Sequence, residues 1–212
     1  MSEVAGAAPP PPPASPPLTQ ATTESHPITV SNTDDLKRSR LTVFFRLLLL
    51  IPHVIWIYLY TVVAGILLLI GWIAAVFMGH LPGGIHNFLS GYLRYVSRVR
   101  AYMLLLANPF PPFSNSHPYP IDVQIAPVAD QSRVTVFFRL LLAIPAYILT
   151  YVFSIVNSAI AVLMWFYCLF TGRMNEGMRN ISLWLYRYEI QTGGYLLLLT
   201  GKYPSLSGAP TV

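Results

Sequence analysis

The sequence predicts an all-α integral membrane protein: two tandem repeats of one unit, about four transmembrane helices plus interfacial helices, and short extramembrane strands. Three observations lead there. The 212 residues are 54% hydrophobic and only 10% charged, against about 25% charged in an ordinary soluble domain. Residues 54–78 and 147–170 hold no charged side chain, and each stretch exceeds the roughly 20 apolar residues that a spanning helix needs. The chain also repeats itself at an offset of 93 residues: 39–106 and 132–199 share 26 identities in 68 positions without a gap.

Residues 1–25 contain Pro9 to Pro13, Pro16 and Pro17 among Ala, Ser and Thr. With so little apolar surface to bury, this segment reads as a disordered Pro-rich tail of polyproline II character. No basic segment followed by an apolar core and a small-residue cleavage site is found, so the first hydrophobic helix is expected to direct its own insertion. Repeat 1 is assigned to 26–114, repeat 2 to 115–205, and a flexible C-terminus to 206–212.

Each repeat opens on a strand-like lead-in, Pro27-Ile28-Thr29-Val30 beside Pro120-Ile121-Asp122-Val123. Next come Ser39 to Pro52 (SRLTVFFRLLLLIP) and Ser132 to Pro145 (SRVTVFFRLLLAIP). The residue before a proline is pushed away from helical geometry, which sets a kink or boundary there. Thr42 and Arg46 share one helical face, as do Thr135 and Arg139. This suits an interfacial helix whose Arg46 or Arg139 snorkels to water as an anchor, with one continuous kinked helix as the alternative.

After each apolar span, 79–84 (GHLPGG) and 172–177 (GRMNEG) read as turns. The following segment, 85–107, sets Ile85, Phe88, Leu89, Tyr92, Val96, Val99, Met103 and Leu106 at helical spacing, with Asn87, Arg94 and Arg98 off that stripe. Two repeats with identical openings are expected to begin at the same membrane face, hence two crossings per repeat and four in all. The rival is one crossing per repeat, the second helix lying flat on the surface. The excess of Lys and Arg on one side puts both termini in the cytoplasm of a multi-pass plasma-membrane protein.

The pattern resembles the domain of unknown function 4389 family, an uncharacterised bacterial membrane family, over about residues 26–205, twice. The residues that carry the likeness are Tyr119-Pro120, Ser132-Arg133, Phe138-Arg139, Ile144-Pro145, the Gly after the first span, Arg94, Tyr102 and Pro111-Pro112-Phe113. The resemblance implies no activity. The second repeat departs from the first where Gly91 becomes Trp184 and Arg98 becomes Gln191.

An arginine inside a bilayer costs about 2.5–3.5 kcal/mol on insertion scales, so Arg94 and Arg187, kept in both repeats, call for a reason. Glu189 is the only acidic residue within the expected helices, and the three form a candidate intramembrane charge network in which Glu189 neutralises Arg94. The alternative leaves the arginines snorkelling and Glu189 solvated. His26, His53, His80, His86 and His117 lack ligand spacing, and no nucleophile motif, phosphate-cradling loop or carboxylate pair appears. No catalytic, metal or cofactor site is therefore expected. Aromatic residues such as Phe44, Phe45, Tyr95, Tyr102, Phe137 and Phe138 suit interfacial belts, and Ser154 with Ser158 suits close helix packing.

Thirteen Lys and Arg against eight Asp and Glu give a net charge of +5. With the basic residues beside apolar segments, the bilayer and anionic phospholipid are the expected partners, and nucleic acid is not. The expected function is that of a non-enzymatic accessory or scaffold subunit docking on other membrane proteins or anionic lipid. The alternative is a small transporter or channel built from internal repeats.

Overall fold

The computed structural model describes residues 26–114 and 117–207. The expectations for the Pro-rich tail and for most of the C-terminal segment fall on residues outside these. Seven elements follow in order: β1 (Ile28–Asn32), α1 (Arg40–Met78), α2 (Gly83–Met103), β2 (Ile121–Ile125), α3 (Arg133–Phe137), α4 (Arg139–Thr171) and α5 (Glu176–Leu196).

The two strand-like lead-ins pair with each other, antiparallel, with Val30 opposite Val123. Ile28, Val30, Ile121 and Val123 are buried, while Thr29, Ser31, Asp122 and Gln124 alternate toward the other side. This is the period-2 pattern of a ribbon with one packed face and one wet face. The packed face lies on α2 and α5, as shown by Arg94 Nε donating to the Val123 carbonyl at 3.0 Å and Gln191 Nε2 to the Ile28 carbonyl at 3.3 Å.

α1 runs unbroken through Pro52, so no separate interfacial helix forms in the first repeat; the ring removes one backbone bond without ending the helix. In the second repeat the break falls at Phe138, between α3 and α4, and Pro145 lies inside α4. Both long helices end on a left-handed glycine, Gly79 (φ 83°) and Gly172 (φ 68°), a conformation glycine adopts without a Cβ penalty.

The expectation of four spans is overturned: among the described residues only α1 and α4 are long and apolar enough to cross a membrane. α2 carries Arg94, Arg98 and Arg100 and α5 carries Arg179, Arg187 and Glu189. Both lie covered between the long helices and the ribbon, which is why Arg98, Ser97, Ser182 and Gln191 are buried together with Leu89, Tyr102, Leu183 and Tyr186.

The two repeats do not lie parallel, and their openings do not share one end of the molecule. Trp72 Nε1, near the end of α1, donates to the Val136 carbonyl in α3 at 3.0 Å, and its counterpart Trp165, near the end of α4, donates to the Val43 carbonyl at 2.9 Å. Gln131 N donates to the Gly79 carbonyl and Arg38 N to the Gly172 carbonyl. Each repeat therefore begins where the other's long helix ends, and α1 and α4 run antiparallel about a pseudo-two-fold axis. Each of the four contacts maps onto its partner by the 93-residue offset.

Three layers result. The ribbon covers α2 and α5, and these back onto α1 and α4. Along α1 a single stripe, Val43, Arg46, Leu50, His53, Ala64, Gly71 and Ala75, is buried. Most of the remaining circumference is apolar and bare, with Leu41, Leu47, Leu59, Leu69 and Phe77 among the exposed side chains.

Candidate functional site

The two arginines expected to snorkel are almost wholly enclosed. Arg46 and Arg139 are each 1% exposed. Arg46 Nη1 donates to the Tyr102 and Ala107 carbonyls, and Arg139 Nη1 to the Tyr195 and Thr200 carbonyls. Each guanidinium lies 4.1 Å above a tyrosine ring, Tyr102 or Tyr195. The anchoring role is thus corrected: the first turns of α1 and α4 pack inward against the ends of α2 and α5, and the arginines point at backbone carbonyls instead of water.

The Tyr102 and Tyr195 carbonyls take the arginine as a second donor beside the backbone N–H of Leu105 and Leu198, and the Ala107 and Thr200 carbonyls lie just past the ends of α2 and α5. Leu105 (φ 60°) and Leu198 (φ 61°) are left-handed. Leu106 N reaches back to the Ala101 carbonyl and Leu105 N to that of Tyr102; Leu199 with Gly194 and Leu198 with Tyr195 repeat the pattern. This is a Schellman closure with leucine where glycine is usual, a conformation that costs a residue with a Cβ about 1–2 kcal/mol. The arginine bonds and the buried leucine side chains offset that cost. The signal was present in the sequence, since Arg46, Tyr102 and Leu104 to Leu106 all recur in the second repeat, but only the fold shows that they meet.

The two nodes differ in their next neighbour. In the second repeat the Gln131 amide oxygen accepts from Arg139 Nη2, and Gln131 Nε2 donates to the Leu198 carbonyl at 2.8 Å. Position 131 corresponds to Arg38, which donates to the Leu105 carbonyl at 2.9 Å and pairs with Asp34 at 2.5 Å. A second cation thus replaces the amide acceptor, and Arg46 Nε and Nη2 have no hydrogen-bond partner among the described residues. Burial pushes the Asp34 carboxyl above its ordinary range, against the pull of Arg38.

Each node floors an apolar cavity between α1 and α4. The larger, about 400 Å³, is lined by Arg46, Leu47, Leu105, Ser158, Val162 and Trp165 among others. The smaller, about 300 Å³, is lined by their counterparts Arg139, Leu140, Leu198, Gly65, Leu69 and Trp72.

The expected network of Arg94, Arg187 and Glu189 is not assembled. Arg94 serves Val123, and Arg187 donates to the Ser205 and Ser207 carbonyls at 3.3 and 2.8 Å. Glu189 instead meets Arg100, at 3.4 Å, and Arg100 Nη2 also donates to Ser154 Oγ at 2.7 Å. Ser154 is therefore a polar partner of Arg100, while Ser158 lines the larger cavity. Burial raises the Glu189 carboxyl above its usual value near 4.5, and Arg100 only partly offsets this. A carboxyl raised in the folded state favours folding when protonated, so that contribution is complete below about pH 4.5 and fades as pH rises through the folded value. Glu189→Gln is expected to flatten this slope in urea unfolding followed from pH 4 to pH 8, leaving the protein at least as stable at pH 7. A mutant with the wild-type slope would show that Glu189 titrates normally.

His53, expected at headgroup depth, is fully buried instead: its Nδ1 lies 2.7 Å from Tyr95 Oη, and its ring stacks on Phe113 at 4.4 Å between centroids. No group of three metal-ligating side chains occurs among the described residues. The aromatic residues divide, with Phe44 and Phe45 exposed on α1, Phe137 and Phe138 exposed at and just past the end of α3, and Tyr95, Tyr102, Tyr186 and Tyr188 buried.

A family model described as a domain of unknown function (DUF4389) matches residues 40–115 and again 133–207. No curated protein and no solved structure matches the chain.

Proposed function

The chain belongs to the DUF4389 family, in two tandem copies, and on that footing we propose that it is a non-enzymatic membrane protein that lies in one leaflet as an accessory or scaffold subunit. One observation carries this reading. Among the described residues, apart from Phe110, Phe113, Val128, Ile181, Tyr203 and Leu206, every exposed large apolar side chain lies on α1, α3, α4 or at Phe138. The polar face of the ribbon lies on the opposite side of the molecule. Soluble monomers rarely expose an apolar patch beyond a few hundred Å², and larger ones mark membrane or protein contact.

Two features favour an in-plane over a crossing orientation. α1, at 39 residues, is about 58 Å long, roughly twice the hydrocarbon thickness. The chain also returns alongside it: α2 ends at Arg46, near the start of α1, yet Gln131 bonds Gly79 at the far end. Residues 117–130 must therefore travel along α1 as loop and open ribbon, from Pro120 beside Thr33 to the neighbourhood of Gly79. If α1 crossed the bilayer, the ribbon with Asp122 and Gln124 would cross beside it, leaving edge groups unmet at several kcal/mol each. Lying flat, the same ribbon faces water.

Single cysteines at Asp35 and at Gly83 test the orientation. Asp35 is exposed just before α1, and a Cβ at Gly83 meets nothing within 4 Å. The background is Cys168→Ala, the residue the first repeat carries at the matching position, Ala75. In sealed vesicles of known orientation, a membrane-impermeant maleimide is expected to label both sites from the same face. Labelling from opposite faces would establish a crossing α1 and favour the transporter reading.

A further inference from the structure

We infer that the cavity floored by Arg46 is a binding site for one anionic phospholipid, with the headgroup phosphate on the guanidinium and an acyl chain along the groove between α1 and α4. The inference rests on the in-plane reading, because the cavity rim, Leu47, Val162 and Phe166, is exposed on the bare apolar face.

Charge is the first ground. Arg46 is 1% exposed, its Nε and Nη2 have no hydrogen-bond partner among the described residues, and beside it the cationic Arg38 donates to the Leu105 carbonyl, its own carboxylate Asp34 being engaged at 2.5 Å. A buried cation without a counter-ion is costly, and an oxyanion presented from the groove supplies both the charge and the missing acceptor. The second ground is the internal comparison. In the other repeat Gln131 gives Arg139 Nη2 an acceptor, and the cavity is smaller, about 300 Å³ against about 400 Å³. Among the described residues Arg139 is left with only Nε unpartnered, where Arg46 has both Nε and Nη2, so the Arg46 node is the more open and the one that asks for a ligand. Shape is the third ground: the lining beyond the guanidinium is Leu, Met, Ala, Val, Trp and Phe with Ser158, an apolar slot with one charged end, within the size range of small-molecule sites. In a slab lying flat the charged end points toward the water-facing layers and the slot opens toward the acyl chains, the orientation a leaflet lipid already has.

The test is thermal unfolding of the whole protein in maltoside micelles doped with phosphatidylglycerol, phosphatidylcholine or inorganic phosphate, together with mass spectrometry of the complex. Phosphatidylglycerol is expected to raise the unfolding midpoint saturably and to be retained one per chain, with about a tenfold preference over phosphatidylcholine; inorganic phosphate is expected to do neither. Two variants keep Arg46. Asp34→Asn with Arg38→Gln brings an amide to the place Gln131 holds in the second repeat, and Ser158→Trp fills the slot without touching a charge. Both are expected to fold and to lose the phosphatidylglycerol shift. Undiminished binding in Ser158→Trp, equal response to phosphatidylcholine, or an equal shift from inorganic phosphate would overturn the site. The cysteine labelling reports orientation separately, so failure here with same-face labelling removes the lipid site alone.

Discussion

Replacing Arg139 by methionine is expected to lower stability by about 3–5 kcal/mol, the cost typical of removing one partner from a buried charged cluster. The guanidinium serves the buried Tyr195 and Thr200 carbonyls and the amide oxygen of the half-buried Gln131. Methionine fills much of the volume and leaves the Thr200 carbonyl and the Gln131 amide oxygen unmet, at about 1–3 kcal/mol for each buried group, while the Tyr195 carbonyl keeps its bond from Leu198 N. The loss falls on the end of α5, where Leu198 holds its left-handed conformation only while the closure around it is satisfied. Reversible unfolding in mixed micelles, followed by helicity, measures the effect. Arg139→Lys is expected to fall between the two, because an ammonium cannot span the same fork of acceptors. A methionine variant within 1 kcal/mol of wild type would show that the node contributes little to the fold.

Gly71→Leu is expected to be the second most damaging change, at about 1–3 kcal/mol from overpacking. A Cβ there would lie 2.6 Å from Leu81 Cδ1 and 3.2 Å from Ile85 Cγ2. Both residues belong to the turn and first turn of α2, so the added bulk prises α2 off α1. The matching position in the second repeat is the fully buried Met164, where Met174 and Met178 stand in place of Leu81 and Ile85. Unbranched methionines yield where leucine and isoleucine cannot. Gly65→Leu is the control on the same helix. Nothing lies within 4 Å of its Cβ, so stability is expected to hold or rise slightly as helix propensity improves. Equal losses at both positions would show that glycine is needed for backbone reasons and not for clearance.

Much of the local structure was legible because it depends on neighbours in the chain. The alternation in residues 28–32 and 121–125 marks strands, Gly79 and Gly172 mark helix ends, and the uncharged stretches mark two long apolar helices. The candidate site was legible only in part. Arg46 and Arg139 stood out, but spacing within TVFFRLLL says only that they share a face with a threonine. Whether that face meets water or the end of another helix depends on residues 56 positions away. Scarcity of charge alone suggests Arg94 and Glu189 as partners; the fold instead brings Arg100 beside Glu189, through an α2–α5 approach that no local period encodes.

The sequence by itself determined the repeat, the helices and strands, their apolar surfaces and the residues kept in both copies, because helical and strand periods, glycine geometry and hydrophobicity act within a few residues. Tertiary structure alone decided that the two copies run antiparallel, that identical openings sit at opposite ends of the molecule, and that one arginine node gains an acceptor from Gln131 while the other has Arg38 in that place. Those outcomes follow from which buried donors meet which buried acceptors across the molecule. That matching is satisfied only when the whole chain is folded, so it leaves no mark in any short stretch of residues.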